Sequence, residues 1–415
     1  MPADKLSLRE TLLKRSSKAL GIDTSYFFGN SFLLVLNQVF GALKAFLVSL
    51  LFANLAPKEL FGEYVFVSAL LSIAYLFAFP GMQVAIVQAI AKNKDGTFML
   101  ALKEIYKWSW LGSLFLVGSA LYSYVQHDSF SIALICIVLA VLFPPFSVSG
   151  LFRGYYVGRK QFTTYFYISS LLIFLSLVMI GAVLLWYQDL FLLIVPFVVA
   201  QALIGAYLNH IAIPRVIRSK ASVPKNISFG KKISIAELIY SLILKLDRPI
   251  VAILGFEQLA IYSIITLLPN QPKIMFSSLK PLYLPKLAEV KIRRKDFLLH
   301  IFKFFIMAIG IIALYSIVAR FLFITFYPEY VDYTWLSVLF AISIVNIPRP
   351  LIMAVFQHRL SHRKINALNG SAAIVSIVSL LALVQFGLLG VVIARIIGRF
   401  YEVGSALVVF LYASK

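Results

Sequence analysis

Apolar stretches follow one another almost without pause from residue 27 to residue 412, and each is long enough to cross a bilayer as a helix of about 20 residues. We read twelve such spans: 27–54, 62–90 (interrupted at Pro80-Gly81), 105–125, 129–151, 162–186, 190–213, 233–254, 257–279, 299–323, 332–356, 367–386 and 388–412. Links on one side are short: Ala56–Phe61, Gln126–Asp128, Gln188–Asp189, Gly255–Phe256 and Tyr327–Val331, with Lys58 as their only Lys or Arg. Links on the other side are basic throughout, from Lys5, Arg9, Lys14, Arg15 and Lys18 to the clusters at 92–107, 153–160, 215–232, 280–295 and 359–364. Such asymmetry puts the basic side, with both termini, in the cytoplasm.

The longest polar link, Arg215–Lys232, divides six spans from six. Across it Lys58-Glu-Leu-Phe-Gly-Glu-Tyr64 lines up with Phe256-Glu-Gln-Leu-Ala-Ile-Tyr262, an offset of 198 residues. Six crossings return a chain to the side it started from, so the halves are parallel repeats about an axis along the membrane normal. The predicted fold is therefore an all-α polytopic membrane protein, with twelve transmembrane helices in two six-helix lobes around a central cationic cavity. Its expected divisions are a basic cytoplasmic segment at 1–25, a first lobe at 26–213, a cytoplasmic linker at 214–232 and a second lobe at 233–415.

Polar positions inside the spans carry the candidate chemistry. In span seven, Ser234, Glu237, Ser241, Lys245 and Arg248 fall within an arc of about 80° on a helical wheel, with Asp247 beside them. A charge at mid-bilayer costs about 2.5–3.5 kcal/mol on insertion scales, which is tolerated where it faces water or a partner and not lipid. Span one sets Asn30, Asn37 and Lys44 at steps of seven; span two sets Tyr64, Ser68, Ser72 and Tyr75 on one face. Span eight repeats that spacing with Tyr262, Thr266, Asn270 and Lys273, distorted by Pro269 and Pro272. The hydroxyls serve equally as interhelical hydrogen-bond partners, whereas Lys44, Lys245 and Arg248 with Lys273, Asn37 and Asn270 are the candidate cavity groups. Asp247 and Glu237 are candidates for ion coupling or for counter-ions, Asp247 as the neutraliser of Arg248 or Lys245. Arg349, held in Pro348-Arg-Pro350, is expected to bind carbonyls freed by the broken helix. Arg395, Arg399 and Glu402 share one face of span twelve, as an internal ion pair or as substrate contacts.

Composition sharpens this picture. The chain has 415 residues, 61% hydrophobic and 13% charged, with a mean hydropathy of +0.92, which leaves no room for a large soluble domain. A net charge of +21 would suggest nucleic acid in a soluble protein; here it reads as the positive-inside rule plus an anionic lipid or substrate. The single Cys136 excludes an intrachain disulfide. The five histidines lie in links or at span ends without thiol or acidic ligands nearby, so no metal or other cofactor is indicated. Neither a Walker loop nor a GxGxxG fingerprint is present, which points away from an ATP-driven pump and from dinucleotide chemistry.

Several longer motifs stand in a telling order. Phe61-Gly-Glu-Tyr64 leads into FAFPGMQVAIVQAIAK (Phe77–Lys92); Phe152-Arg-Gly-Tyr-Tyr-Val-Gly-Arg-Lys160 follows span four. Leu244-Lys-Leu-Asp-Arg-Pro249 runs into Val251–Ile264, and FYPEYVDY (Phe326–Tyr333) follows span nine. From about Ser25 to Tyr412 the chain resembles Wzx-type polysaccharide (O-antigen) flippases of the multidrug/oligosaccharidyl-lipid/polysaccharide (MOP) exporter superfamily. The resemblance implies alternating access between two lobes and an undecaprenyl-diphosphate-linked oligosaccharide moved to the periplasmic leaflet of the bacterial inner membrane. It implies a proton or sodium gradient as the drive, membrane lipids as surroundings, and room for a polysaccharide polymerase and a chain-length regulator as partners. It also carries over Asp247-Arg248 as a family-like pair at the cavity wall, whereas Lys44 rests on physics alone. Two rival functions are a multidrug-type exporter of the same superfamily and a membrane-embedded polymerase or acyltransferase. A cationic drug calls for carboxylates in the cleft, and the enzymes call for a large outer loop or a His/Asp cluster.

Overall fold

The computed structural model describes residues 32–219, 224–278, 294–359 and 362–413; the basic segment at 1–25 lies outside the described residues, as do the side chains of Glu237 and Lys273. Among the described residues all regular structure is helical, and it forms twelve passages. The first six are α1 (Phe32–Leu55); α2 (Lys58–Ala74) continuing into α3 (Met82–Ala91); α4 (Thr97–His127); α5 (Phe130–Val148) with α6 (Leu151–Gly158); α7 (Phe162–Trp186); and α8 (Leu190–Ser219). The second six are α9 (Pro224–Lys245) with α10 (Asp247–Ala252); α11 (Phe256–Ser278); α12 (Arg294–Phe326); α13 (Thr334–Ala341) with α14 (Arg349–Arg359); α15 (His362–Leu383); and α16 (Gly387–Ala413). The predicted polar link at 214–232 is largely helix, α8 running on to Ser219 and α9 starting at Pro224. Proline at the first helical position costs nothing there, because its missing N–H would have been an orphan.

By length and apolar composition eight described stretches qualify as spans, of which Ile365–Tyr412 is two helices joined by a turn. The passages outside these eight stretches are α4, α9–α10 and α11. Large apolar side chains face outward around the bundle, such as Leu121, Val141, Phe174, Trp186, Ile317 and Phe321. In water such a surface would aggregate; it suits acyl chains.

Breaks occur where the covalent structure demands them. In the second passage a tightened turn at Tyr75–Ala78 leads to Phe79 at φ 53°, and α3 restarts after the predicted Pro80-Gly81 interruption. In the seventh, Pro249 has no N–H for the Lys245 carbonyl and its ring crowds that group, so α9 ends at Lys245. The next donor is diverted as well: the Arg248 N–H goes to Asp247 Oδ1 at 2.9 Å. The tenth passage is broken twice, at 342–346 and ahead of Arg349.

The lobes meet through their equivalent second helices, α2 against α11, which start 198 residues apart as the repeat predicts. Contact is closest at Gly62, where an added Cβ would lie 1.9 Å from the Phe256 carbonyl oxygen. Around this point, at the short-link end, Ser49 Oγ and Tyr327 OH share a buried hydrogen bond of 2.7 Å. Lys58 reaches Glu329 at 3.8 Å and lies over the Tyr330 ring. Phe46 packs edge-on against Phe326. Toward the basic end, the Gly81 N–H donates to Ser234 Oγ at 2.9 Å and Lys231 pairs with Glu104 at 2.5 Å.

A side chain at position 62 must push the lobes apart. Gly62→Val is expected to lower stability by about 1–3 kcal/mol through overpacking, whereas Gly118→Ala, which meets open space, does not. Thermal unfolding of the two purified variants in detergent checks this; an unshifted Gly62→Val transition would refute the contact.

Candidate functional site

The polar face of α2 shapes the site. Tyr64, Ser68, Ser72 and Tyr75 recur every three or four residues, so they project to one side of the helix. All four line a cavity of about 390 Å³ together with Gln83, Arg153, Phe197 and Gln201. A second cavity of about 410 Å³ shares Arg153, Phe197 and Gln201 with it and extends to Asn37, Gln38, Lys44, Tyr165, Ser169 and Gln271. Together they form one hollow inside the first lobe, with Gln271 of α11 in its lining. Its ionised lining groups among the described residues are Lys44 and Arg153, and no carboxylate stands among them.

The two cations feel each other's charge, and Lys44 Nζ lies over the Phe197 ring at 5.1 Å. Several lining groups are unsatisfied within the protein. Asn37 donates to Tyr165 OH at 3.0 Å, but its Oδ1 has no partner. The same holds for Arg153 Nε, Ser169 Oγ and Gln271 Oε1. Four of the lining residues thus carry a buried polar atom without a partner within the protein, each at a cost of about 1–3 kcal/mol unless water supplies one.

Lys245 and Arg248 stand where this hollow meets the second lobe. Lys245 Nζ crosses the seam to donate to the Ser72 carbonyl at 2.7 Å and to Ser72 Oγ at 2.6 Å. Arg248 is exposed and close enough to act electrostatically on Lys245 and on Tyr64. Of the stripe on span seven, Ser234 and Lys245 bond directly across the seam.

Asp247, Arg349, Arg395, Arg399 and Glu402 behave differently: they are paired. Asp247 does not neutralise Lys245 or Arg248 as expected; its Oδ2 is held by Arg395 at 2.6 Å and by Tyr262 OH at 3.0 Å. Diversion of the Arg248 N–H leaves the Leu244 carbonyl free, and Arg395 fills that too at 2.9 Å. Of the three residues expected on span twelve as an internal ion pair or as substrate contacts, Arg395 lies about two helical turns from Glu402 and bonds to α9–α10 instead. Arg399 does pair with Glu402, at 3.1 Å to each oxygen. Glu402, 1% exposed, also takes Arg349 at 3.2 Å and Asn346 at 2.6 Å. Arg349 was expected to bind freed carbonyls; it goes to the side chains of Glu402, Tyr240 and Asn369. Asn270 turns its amide back to the Thr266 carbonyl of its own helix at 2.8 Å and does not line the hollow.

Sequence reasoning missed Arg153, Gln201, Tyr165 and Gln271. Arg153 was counted with the basic links because it follows span four, yet α6 carries on from α5 and folds it against the lobe interior. Nothing in the local pattern separated it from its neighbour Arg159, which pairs with Asp95.

Comparison with known proteins identifies the architecture. A family described as polysaccharide biosynthesis protein matches residues 27–279, more than half of the chain. Among curated proteins no sequence matches. The fold is similar to the inward-facing conformation of a multidrug resistance MATE family transporter of the MOP superfamily, with a TM-score of 0.65 and 14% identity over 90% of this chain and 93% of that one. The outward-facing conformation of such a transporter gives 0.61 and 14%, over 93% and 94%. A MOP superfamily transporter from Pyrococcus furiosus, described as having a binding pocket of reversed polarity, gives 0.61 and 15%, over 93% and 94%.

Two variants separate the paired charges from the unpaired ones. Glu402→Ala strands Arg349 and Arg399 in the lobe core and is expected to destabilise by about 3–5 kcal/mol, read as a large drop in the unfolding temperature. Lys44→Cys should fold normally and react with a membrane-impermeant thiol reagent while the buried Cys136 does not. Full protection of the new thiol would show that the hollow is dry.

Proposed function

The chain belongs to the polysaccharide biosynthesis protein family, and from that premise we propose that it is a flippase for an undecaprenyl-diphosphate-linked oligosaccharide. The substrate, an O-antigen, capsule or exopolysaccharide repeat unit, moves from the cytoplasmic to the periplasmic leaflet of a bacterial inner membrane, with both termini on the basic, cytoplasmic side. The observation that carries this reading is the sign of the hollow: it presents cations and amides and no carboxylate among its described lining groups.

A diphosphate and its sugars cannot enter hydrocarbon alone, because their hydration would be lost without replacement. Guanidinium and ammonium groups replace that water by charge-assisted hydrogen bonds, which are about twice as strong as neutral ones. Amides and tyrosines do the same for sugar hydroxyls, while the prenyl tail stays in the bilayer. Rocking of the lobes about the α2–α11 contact then presents the hollow to each leaflet in turn, driven by a proton or sodium gradient. Membrane lipids surround the bundle, and a polysaccharide polymerase and chain-length regulator fit downstream.

Likeness in fold to multidrug transporters supports a second reading, export of small molecules. Cationic drugs would meet only like charges in this hollow, an arrangement that disfavours them. The reversed pocket polarity described for the Pyrococcus furiosus neighbour fits the same separation of functions within one fold.

Lys245→Ala and Arg248→Ala are each expected to cut transfer of the lipid-linked repeat unit by about tenfold or more, the loss of one charge-assisted contact. In cells carrying either variant the lipid-linked glycan should accumulate on the cytoplasmic leaflet while the protein inserts normally. Undiminished surface polysaccharide in both strains would sink the proposal.

A further inference from the structure

The outer face of α4 carries a pattern that the hollow does not use. At the basic end of the first lobe, Arg159 pairs with Asp95, and Glu104 of α4 takes Lys231 from the second lobe. Lys103 and Lys107, on either side of Glu104 along the helix, are exposed and have no ion pair among the described residues. A turn of 100° per residue explains the difference: Glu104 is rotated toward the seam, whereas Lys103 and Lys107 lie 40° apart on the outside.

The two lysines head a stripe. Lys103, Lys107, Trp110, Leu114, Val117 and Leu121 follow one another at steps of four or three residues, within an arc of about 80°, and all six are exposed. Tyr106 flanks the lysines and is exposed too. At Gly118, beside Leu114 and Leu121, no Cβ covers the backbone and nothing else lies within 4 Å of where one would be. The order along the stripe is therefore cationic, aromatic, then apolar with a bare notch.

Depth in the membrane fits that order. α4 has 31 residues, about 46 Å at 1.5 Å each, against about 30 Å of hydrocarbon. Its other end is fixed by the short link at Asp128, so the surplus length projects on the basic side. About twenty residues counted back from His127 reach Lys107. The ammonium groups thus stand at headgroup level, Tyr106 and Trp110 at the border where amphipathic aromatics settle, and Leu114 to Leu121 among acyl chains.

We propose that this face of α4 is a binding site for an anionic phospholipid of the leaflet on the basic side. Its phosphate lies between Lys103 and Lys107, which are one helical turn apart and close enough to share it. One acyl chain runs down the stripe past Gly118. A zwitterionic headgroup brings its own cation to two lysines and is disfavoured. So is a second copy of the chain packed on this face about a twofold axis, because each α4 would set its lysines against their own equivalents.

The test uses the full chain in lipid vesicles, with Trp110 as the reporter. Of the four tryptophans, Trp108, Trp186 and Trp335 are changed to Phe. The vesicles hold equal parts phosphatidylglycerol and phosphatidylcholine, with brominated, fluorescence-quenching chains on one lipid or the other. Quenching is expected to show phosphatidylglycerol beside Trp110 enriched about fivefold or more over phosphatidylcholine, since each lysine near the surface contributes about that factor. Lys103→Gln/Lys107→Gln should bring the two lipids to parity. Lys303→Gln, which removes an exposed cation of α12, should leave the enrichment unchanged. In the otherwise native chain, Trp110→Phe should remove the phosphatidylglycerol-dependent part of the quenching, a second reading that needs no other tryptophan replaced. Equal quenching by both lipids, an enrichment that survives loss of both lysines, or one lost equally in Lys303→Gln overturns the proposal. Absence of quenching by either lipid overturns it as well, because the face would then be covered by another copy of the protein.

Discussion

Charge inside an apolar bundle is the constraint on which this structure turns. A buried ion is stable only if a counter-ion, a set of hydrogen bonds or water replaces its lost hydration. The protein uses different solutions in its two lobes. The second lobe pairs Arg349, Arg395 and Arg399 with Asp247 and Glu402, and adds tyrosine and asparagine donors to both carboxylates. The first lobe leaves Lys44 and Arg153 facing a cavity beside unsatisfied amides. The second lobe therefore sets these charges against one another, and the first keeps two cations at a cavity wall.

Helix breaks serve that division. Loss of the α9 register at Pro249 turns the Arg248 N–H toward Asp247 and frees the Leu244 carbonyl for Arg395, so the break is itself the anchor of the first ion-pair cluster. The interruption at Phe79–Gly81 lets the second passage pack against α11 at one end and against α9 at the other. Because α2 carries both the lobe contact at Gly62 and the polar face of the hollow, a change in lobe angle and a change in cavity shape are mechanically linked. Ser72 lies on the same element, so the hydrogen bonds it accepts from Lys245 of α9 tie the lobe contact to the wall of the hollow.

Much of this was legible in the chain, for reasons that are local. A bilayer imposes its thickness on every span and its asymmetry on the Lys and Arg of the links, so span number, the six-plus-six division and the repeat between Lys58 and Phe256 could be read directly. Helical periodicity was enough to put Tyr64, Ser68, Ser72 and Tyr75 on one face, and proline chemistry was enough to break the second and tenth passages. An intramembrane lysine such as Lys44 or Lys245 announces itself as unusual whatever its partners.

Partners were beyond the sequence. Whether Asp247 answers to the adjacent Arg248 or to Arg395, 148 residues away, depends on which helices pack together, and a helical wheel holds only one helix. Arg153 looked like one more basic residue after a span until α6 turned it inward, and Arg349 and Glu402 met only because the tenth and twelfth passages are neighbours. The sequence by itself determined how often the chain crosses the bilayer and which residues are too polar to face lipid, since both follow from spacing along one axis. Only the tertiary structure decided which of those charges are spent on one another and which are left to face a cavity, since that depends on contacts between segments far apart in the chain.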